Sequence, residues 1–453
     1  MQRQTFRFIL TFAAGAAAVV CLFAAGQARQ VSAARYEDLN LFTSVLNLVR
    51  NNYVEPVDEN RLIQGAIEGM LAQLDPHSSF LTPDIYKEMQ IDTKGEFAGL
   101  GIEIAKREDG YIEVIAPIEG TPADRAGLKA HDQIVEICPT ETPADWKQAC
   151  RNTKAMSLIE AVQLMRGKRK TKITIQILRE GFEQPRPFTL ERDMIKVVST
   201  EGRLLEPGYA YARLRAFQEN TSKDLQRLLE KLAKQTGGRL QGLVLDLRDN
   251  PGGLLDQAIQ VADIWVRDGL IVYTKGRAES QQQEFRANES STEDRYPLVV
   301  LVNSGTASAS EIVAGALQDH RRALVLGTET FGKGSVQTIV PLDGGAGLRL
   351  TTALYYTPGG RSIQEVGIVP DMVVSQVEPA TAADAALPSR IRERDLERHF
   401  TQEEANPSAA SGSGDGGAEA KKADFQLARA LEVLKSWSYF EHLQGGRPTP
   451  ASQ

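Results

Sequence analysis

Apolar residues recur at helical spacing near the start of the chain. Leu39, Phe42, Leu46, Val49 and Tyr53 step by 3, 4, 3 and 4 residues, which places them on one face of a helix. Pro56 interrupts the pattern, and Leu62, Ala66, Met70 and Leu74 form a second stripe. Ahead of both, Arg3 and Arg7 precede an apolar run of 18 residues from Phe8 to Ala25. A positive segment before an apolar run is the pattern of an export signal, with a buried helix as the alternative. Small residues offer cleavage after Ala28 or Ala33. Left uncleaved, the run is just long enough to span a bilayer. Cys21 lies within it behind Ala18-Val19-Val20, a poor context for lipidation. No second run of this length follows, so the remainder is read as soluble and export points to the periplasm.

Between residues 95 and 185 the pattern shortens to strands: Gly101–Ile104, Tyr111–Ile115, Ile134–Ile137 and Lys172–Leu178. A short helix at Thr121–Ala126 stops at Gly127, and Ser157 with Glu160 forms a capping box that opens a helix ending at Gly167. From 208 to 375 strands and helices alternate. Gly242–Leu247, Leu298–Val302 and Ala323–Leu326 read as strands, and Leu254–Val266 and Ala309–Gln318 as helices. That alternation predicts a parallel sheet with crossover helices. Residues 405–420, rich in Ser, Gly and Ala, read as a flexible linker before an amphipathic helix over Phe425–Trp437.

The length of 453 residues fits about three domains. With 52 Lys plus Arg against 59 Asp plus Glu, the net charge of −7 excludes a basic nucleic-acid binder. Three cysteines exclude a disulfide scaffold, and five scattered histidines without CxxC or HExxH argue against zinc.

The candidate chemistry lies in three loops that follow strands, where sites form in open α/β sheets. In Asn303-Ser304-Gly305-Thr306-Ala307-Ser308-Ala309-Ser310-Glu311, Ser308 and Glu311 have capping-box spacing. Ser308 is then either a helix cap or a nucleophile whose oxyanion meets the Ala309 amide at the positive helix end. A nucleophilic serine needs a base. His320 lies at the far end of the same helix, about 18 Å away. His77, His131, His399 and His442 stand in other segments with no such context. Lys333, between Gly332 and Gly334, is the alternative base or simply a surface lysine in a turn. In an extended segment it shares a face with Ser335 and Gln337. Asp249-Asn250-Pro251-Gly252-Gly253 is either a tight turn or the source of a second oxyanion amide.

Together these residues resemble the carboxy-terminal processing, or tail-specific, serine proteases. The similarity rests on Thr306–Glu311, a lysine 25 residues after Ser308 and a glutamine four residues further. It also rests on Asp249–Gly253, Phe331–Val336, Gly367-Ile368-Val369-Pro370-Asp371 and Leu74–Phe80, and it spans about residues 36–375. The resemblance implies Ser308 as nucleophile, Lys333 as general base and Gln337 as the residue that positions it. It implies oxyanion amides at Ala309 and at Gly252 or Gly253, with Gly253 preferred. It also implies a PDZ domain at 95–185 whose Gly99-Leu100-Gly101-Ile102 loop binds a chain-terminal carboxylate. Cys138 and Cys150 bracket a longer loop than such domains usually carry, and an oxidising compartment favours their disulfide. Arg166, at the end of the PDZ helix, is either a relay that gates the site or a solvated helix-terminal cation.

The resulting expectation is an α/β multidomain protein. It has a signal peptide or membrane anchor at 1–33, helices at 34–94, the PDZ domain at 95–185 and a strand–helix core, crotonase- or Clp-like, at 186–378. A C-terminal extension occupies 379–453. The function expected is an exported Ser–Lys endopeptidase acting on proteins with exposed C-termini, with no metal or organic cofactor and no nucleic-acid partner. For Lys333 to act as base, its ordinary pKa of about 10.4 must fall to roughly 7–8, as burial achieves. Two rivals stand beside it: a catalytically silent PDZ scaffold, and a hydratase-like enzyme of acyl-CoA thioesters. The sequence leaves open an adaptor that delivers substrate and a homo-oligomer formed through the N-terminal helices.

Overall fold

In the computed structural model, the described residues are 37–140, 146, 148–278, 282–288, 293, 296–376, 391–400 and 424–445, with side chains to 437. The export segment at 1–33 and the linker at 405–420 lie outside them. So does most of the loop between Cys138 and Cys150. The chain divides into two units at Leu74/Asp75.

The first unit is helical. A helix spans 37–52, and a second spans Glu59–Leu71, started by Asp58, whose Oδ1 accepts from the Asn60 amide at 3.0 Å. Leu39, Leu41 and Leu48 of the first helix are more than half exposed. Among the described residues no helix is long and apolar enough to cross a membrane.

The second unit is built on a six-stranded sheet. Strands Tyr209–Leu214, Gly242–Asp246, Leu298–Val302, Leu324–Gly327 and Met372–Val373 run parallel, and Thr200–Glu206 pairs antiparallel at the edge. The two central strands, GLVLD and LVVLV, are buried along their whole length. Such continuous apolar runs belong to parallel strands covered on both faces. Helices Thr221–Gln235, Leu255–Asp263 and Ala309–Asp319 cover one face. The C-terminal helix Phe425–Gly445 covers the other, with Ala430 and Leu434 packed on Val244, Val299, Leu301 and Leu326.

A second sheet is antiparallel, where the alternation of strands and helices predicts only a parallel one. Ser335–Pro341 and Gly347–Tyr356 form a long hairpin, joined by Leu270–Gly276, Gln283–Arg286 and Ser79–Leu81. Ser79–Leu81 pairs with Gly347–Arg349. The expected helical region over 34–94 is therefore broken by this strand, and only the helix Pro83–Lys94 follows it.

The PDZ sheet comprises Ile102–Lys106, Ile112–Pro117, Gln133–Pro139, Lys172–Leu178 and Arg186–Glu191, with helix Leu158–Met165. Its last strand carries the domain beyond residue 185, because Leu190 turns inward to the buried cluster. The Ser157–Glu160 capping box is formed in both directions. Cys138 and Cys150 are joined as a disulfide with Cα atoms 4.1 Å apart. Glu136, which lies beside them, completes no cation site, since disulfide sulfurs have lost their thiolate donors.

Candidate active site

Two adjacent parallel strands end in loops that lace together. From the end of Leu298–Val302, Asn303 Oδ1 accepts the Asp249 amide at 2.9 Å and the Gly305 amide at 3.0 Å. Thr306 Oγ1 donates to the Leu247 carbonyl at 2.8 Å. From the neighbouring loop, the Asn250 carbonyl accepts the Ala307 amide and the Ser310 hydroxyl, both at 3.0 Å. These cross-links fix the approach to Ser308. Its backbone lies at φ 54°, ψ −115°, a conformation that non-glycine residues hold only where surroundings impose it. Helix Ala309–Asp319 begins directly after it, with the Glu311 amide on the Ser308 carbonyl at 2.9 Å.

The Gly252–Gly253 turn meets this helix start. A Cβ on Gly252 would stand 2.9 Å from Ser308 Cβ and 3.0 Å from the Ala309 nitrogen, so only glycine permits the contact. The Gly252 amide is already engaged by Asn250 Oδ1 at 2.9 Å. Among the described residues, the Gly253 and Ala309 amides have no acceptor. The geometry thus separates the two glycines that the sequence left as alternatives. Two free amides beside a serine at a helix N-terminus are what an oxyanion site requires.

Lys333 arrives from the far side, in the non-repetitive stretch Phe331–Gly334 just before the strand Ser335–Pro341. Burial lowers its proton affinity and Arg349 lowers it further, whereas Glu393, Glu311 and Asp75 oppose the shift. Among the described residues its ammonium nitrogen has no hydrogen-bond partner. Among the described residues Gln337 makes no hydrogen bond to it. Its amide donates to Ser335 Oγ at 2.9 Å and Thr351 Oγ1 at 3.3 Å. Thr351 Oγ1 donates in turn to Asp75, which also holds the His77 and Ser78 amides at 2.8 Å.

Glu311 joins the serine and the lysine. It is fully buried, and its Oε2 accepts both the Ser308 amide at 2.8 Å and the Lys333 amide at 3.0 Å. Its Oε1 accepts the Gly332 amide at 2.8 Å and the Thr330 hydroxyl. Burial pushes its pKa up to about 7, with those hydrogen bonds pulling the other way. Sequence reasoning gave Glu311 only a capping role, because its spacing from Ser308 is local while its partners at 330–333 are not. The Gly367–Asp371 motif closes over this network: the Ile368 amide donates to Thr330 Oγ1 at 2.7 Å, and Asp371 accepts the Val325 amide at 2.8 Å.

His320 is the C-cap of its helix and bonds the Leu270 carbonyl at 2.6 Å. In the PDZ domain, Gly101 has φ 78°, and among the described residues the Leu100 and Gly101 amides have no acceptor. Ile102 opens the strand beside them. Arg166 is not a solvated cation. It pairs with Glu88 of helix Pro83–Lys94 and stacks 4.4 Å from the Phe97 ring centre.

Residues 208–374 match peptidase family S41, residues 88–178 match the PDZ domain, and residues 17–84 match the N-terminal domain of the activating protease CtpB. A carboxy-terminal-processing protease of Bartonella bacilliformis is 45% identical over 401 residues, covering 88% of this chain and 89% of its own length. The carboxy-terminal processing protease CtpA of Bacillus subtilis is 32% identical over 373 residues, 81% of this chain and 76% of its own. Among solved structures, the photosystem II D1 C-terminal processing protease is 33% identical with a TM-score of 0.42, covering 71% of this chain and 84% of its own. With 45% identity across 89% of the Bartonella protein's length and both domain matches in place, this chain belongs to the carboxy-terminal-processing serine proteases of family S41.

Proposed function

We propose that Ser308 attacks a substrate carbonyl while a neutral Lys333 takes its proton. The Gly253 and Ala309 amides receive the oxyanion, and water then hydrolyses the acyl-enzyme. What carries this reading is Glu311, whose Oε2 holds the amides of both residues and so joins a strained serine, flanked by amides without an acceptor among the described residues, to a buried lysine of lowered proton affinity. Gln337 steadies Lys333 through its amide oxygen, while its amide nitrogen donates to Ser335 and Thr351.

Substrate C-termini bind the free Leu100 and Gly101 amides while the peptide adds a strand beside Ile102–Lys106. Arg166 is well placed to transmit that event. It bonds Glu88, and Tyr86 of the same helix packs against Gly347 at the turn of the hairpin that carries Gln337. The enzyme works in the periplasm, on the strength of the Arg3/Arg7 and Phe8–Ala25 pattern. The test is hydrolysis of casein by Ser308→Ala and Lys333→Ala, each expected to abolish turnover while the fold persists. Near-normal turnover by the lysine variant would exclude the dyad. Equal cleavage of a substrate with a free and with an amidated C-terminus would exclude tail capture.

A further inference from the structure

Lys333 sits in a stretch without helix or strand, so its position depends on where the neighbouring backbone groups find partners. The Phe331 amide donates to the Thr306 carbonyl at 3.0 Å, and the Gly332 and Lys333 amides go to Glu311. The remaining holds lead elsewhere. The Phe331 carbonyl accepts the Glu393 amide at 3.2 Å. The Gly334 amide donates to Gln364 Oε1 at 3.0 Å, and the other end of that side chain donates to Glu393 Oε1 at 3.0 Å. The Gly332 carbonyl accepts the Glu365 amide at 2.9 Å, and the Glu365 carboxylate lies 2.6 Å from His399 Nε2. Three holds on the lysine segment therefore run to residues 391–399, about 60 positions further along the chain.

The same segment is anchored on both sides of the lysine. Arg392 donates to the Thr330 and Val366 carbonyls at 2.9 Å and pairs with Glu329. Glu393 is fully buried, and both its oxygens lie 2.8 Å from His77 Nε2. His77 in turn gives its carbonyl to Arg349 at 2.9 Å. Burying a carboxylate is costly unless every oxygen is matched. Here the matching groups are His77 and Gln364, and Gln364 also holds the Gly334 amide beside the lysine.

We propose that residues 391–399 form a strap over the core and that Glu393 is a positioning residue for Lys333. The proposal rests on Lys333 being the general base. Glu393 acts at one remove: it fixes Gln364 and Phe331, and they fix the lysine backbone. Its charge also bears on the lysine, together with Glu311 and Asp75 and against Arg349.

The test uses the full chain and an internally quenched peptide with a free C-terminal carboxylate. Glu393→Ala, Glu393→Gln, Lys333→Ala and the exposed strap variant Arg394→Ala are compared. Circular dichroism and urea unfolding set the folded fraction of each, since fluorophosphonate labelling itself depends on Lys333. Glu393→Ala is expected to lower kcat on the order of 10- to 100-fold with KM little changed, as for a small misplacement of a reacting group. Glu393→Gln restores the bond to Gln364 and recovers most of kcat. It also moves the acid limb of the kcat/KM profile to lower pH, because a charge that favours protonated Lys333 is gone. Arg394→Ala is expected to match the parent. Parent-like kcat in Glu393→Ala, or an unmoved acid limb in Glu393→Gln, with Lys333→Ala inactive, overturns the strap alone. Substantial turnover by Lys333→Ala overturns the dyad itself.

Discussion

Ser308 and Lys333 are held in opposite ways. Ser308 lies between a buried parallel strand and the helix it caps, and most of its supports come from the two loops at 247–253 and 302–311. Lys333 lies outside regular structure, and its segment is braced by residues 306, 311, 355, 364–365 and 393. A site held by adjacent strand ends forms with the core. A site braced by distant segments forms only when those segments are docked.

The largest effect is expected on the serine side. A methyl group at residue 253 would fall 2.2 Å from the Phe217 carbonyl oxygen, at a φ of 144°. Gly253→Ala must therefore displace the turn and its free amide. A loss of about 10²–10³ in kcat is expected, as for other lost oxyanion donors. Steady-state kinetics with parent-like kcat would place the second donor elsewhere.

Glu311 tests the link between the halves. Its folded pKa of about 7 lies above the ordinary carboxyl value of 4.5. The protonated form is therefore favoured in the fold. The stability it contributes is full below about pH 4.5 and is lost as pH rises through about 7, by roughly 3 kcal/mol in all. Urea unfolding across that range should show the decline, and Glu311→Gln should flatten it. An unchanged slope in the variant would assign the titration to another group.

On the lysine side, Asp75 receives Ser78, Thr351 and two amides, and these hydrogen bonds hold its carboxyl below the usual range despite burial. Asp75→Ala leaves those donors unpaired, at about 1–3 kcal/mol. Turnover and fluorophosphonate labelling should fall together, because both need Lys333 as the base. Parent-like labelling with lost turnover would show that Asp75 does not act through Lys333.

The smallest effect on catalysis is expected far from both loops. Cys138→Ser with Cys150→Ser should lower the stability of the PDZ domain by about 3 kcal/mol by the loop-closure estimate. It should leave cleavage of an amidated peptide unchanged. A matching loss there would show that the disulfide bears on the core.

The contrast between the halves also explains what the sequence made legible. Leu298–Val302, the helix at Ala309 and the Ser157 capping box are local patterns, and the folded chain contains them as read. The Ser308 turn announces itself through capping residues and glycines that are neighbours in sequence. The supports of Lys333 do not, because no periodicity links His77 or Glu393 to position 333. His77 and His399 have no serine near them in sequence, yet both end on carboxylates beside the lysine segment. The antiparallel hairpin 335–356 was missed for a related reason: its strands are half-exposed and lack the apolar runs that mark the parallel strands.

The central claim is that Lys333 activates Ser308. The most direct test is the rate at which a fluorophosphonate modifies the enzyme across pH, with the labelled residue located by peptide mass spectrometry. The label is expected on Ser308, at a rate that rises with pH as Lys333 loses its proton, at a pH below that of an ordinary lysine. In Lys333→Ala the rate should fall by roughly 10²–10⁴ and lose that pH dependence. Labelling of another serine, or a Lys333→Ala rate and pH profile equal to the parent's, would contradict the account.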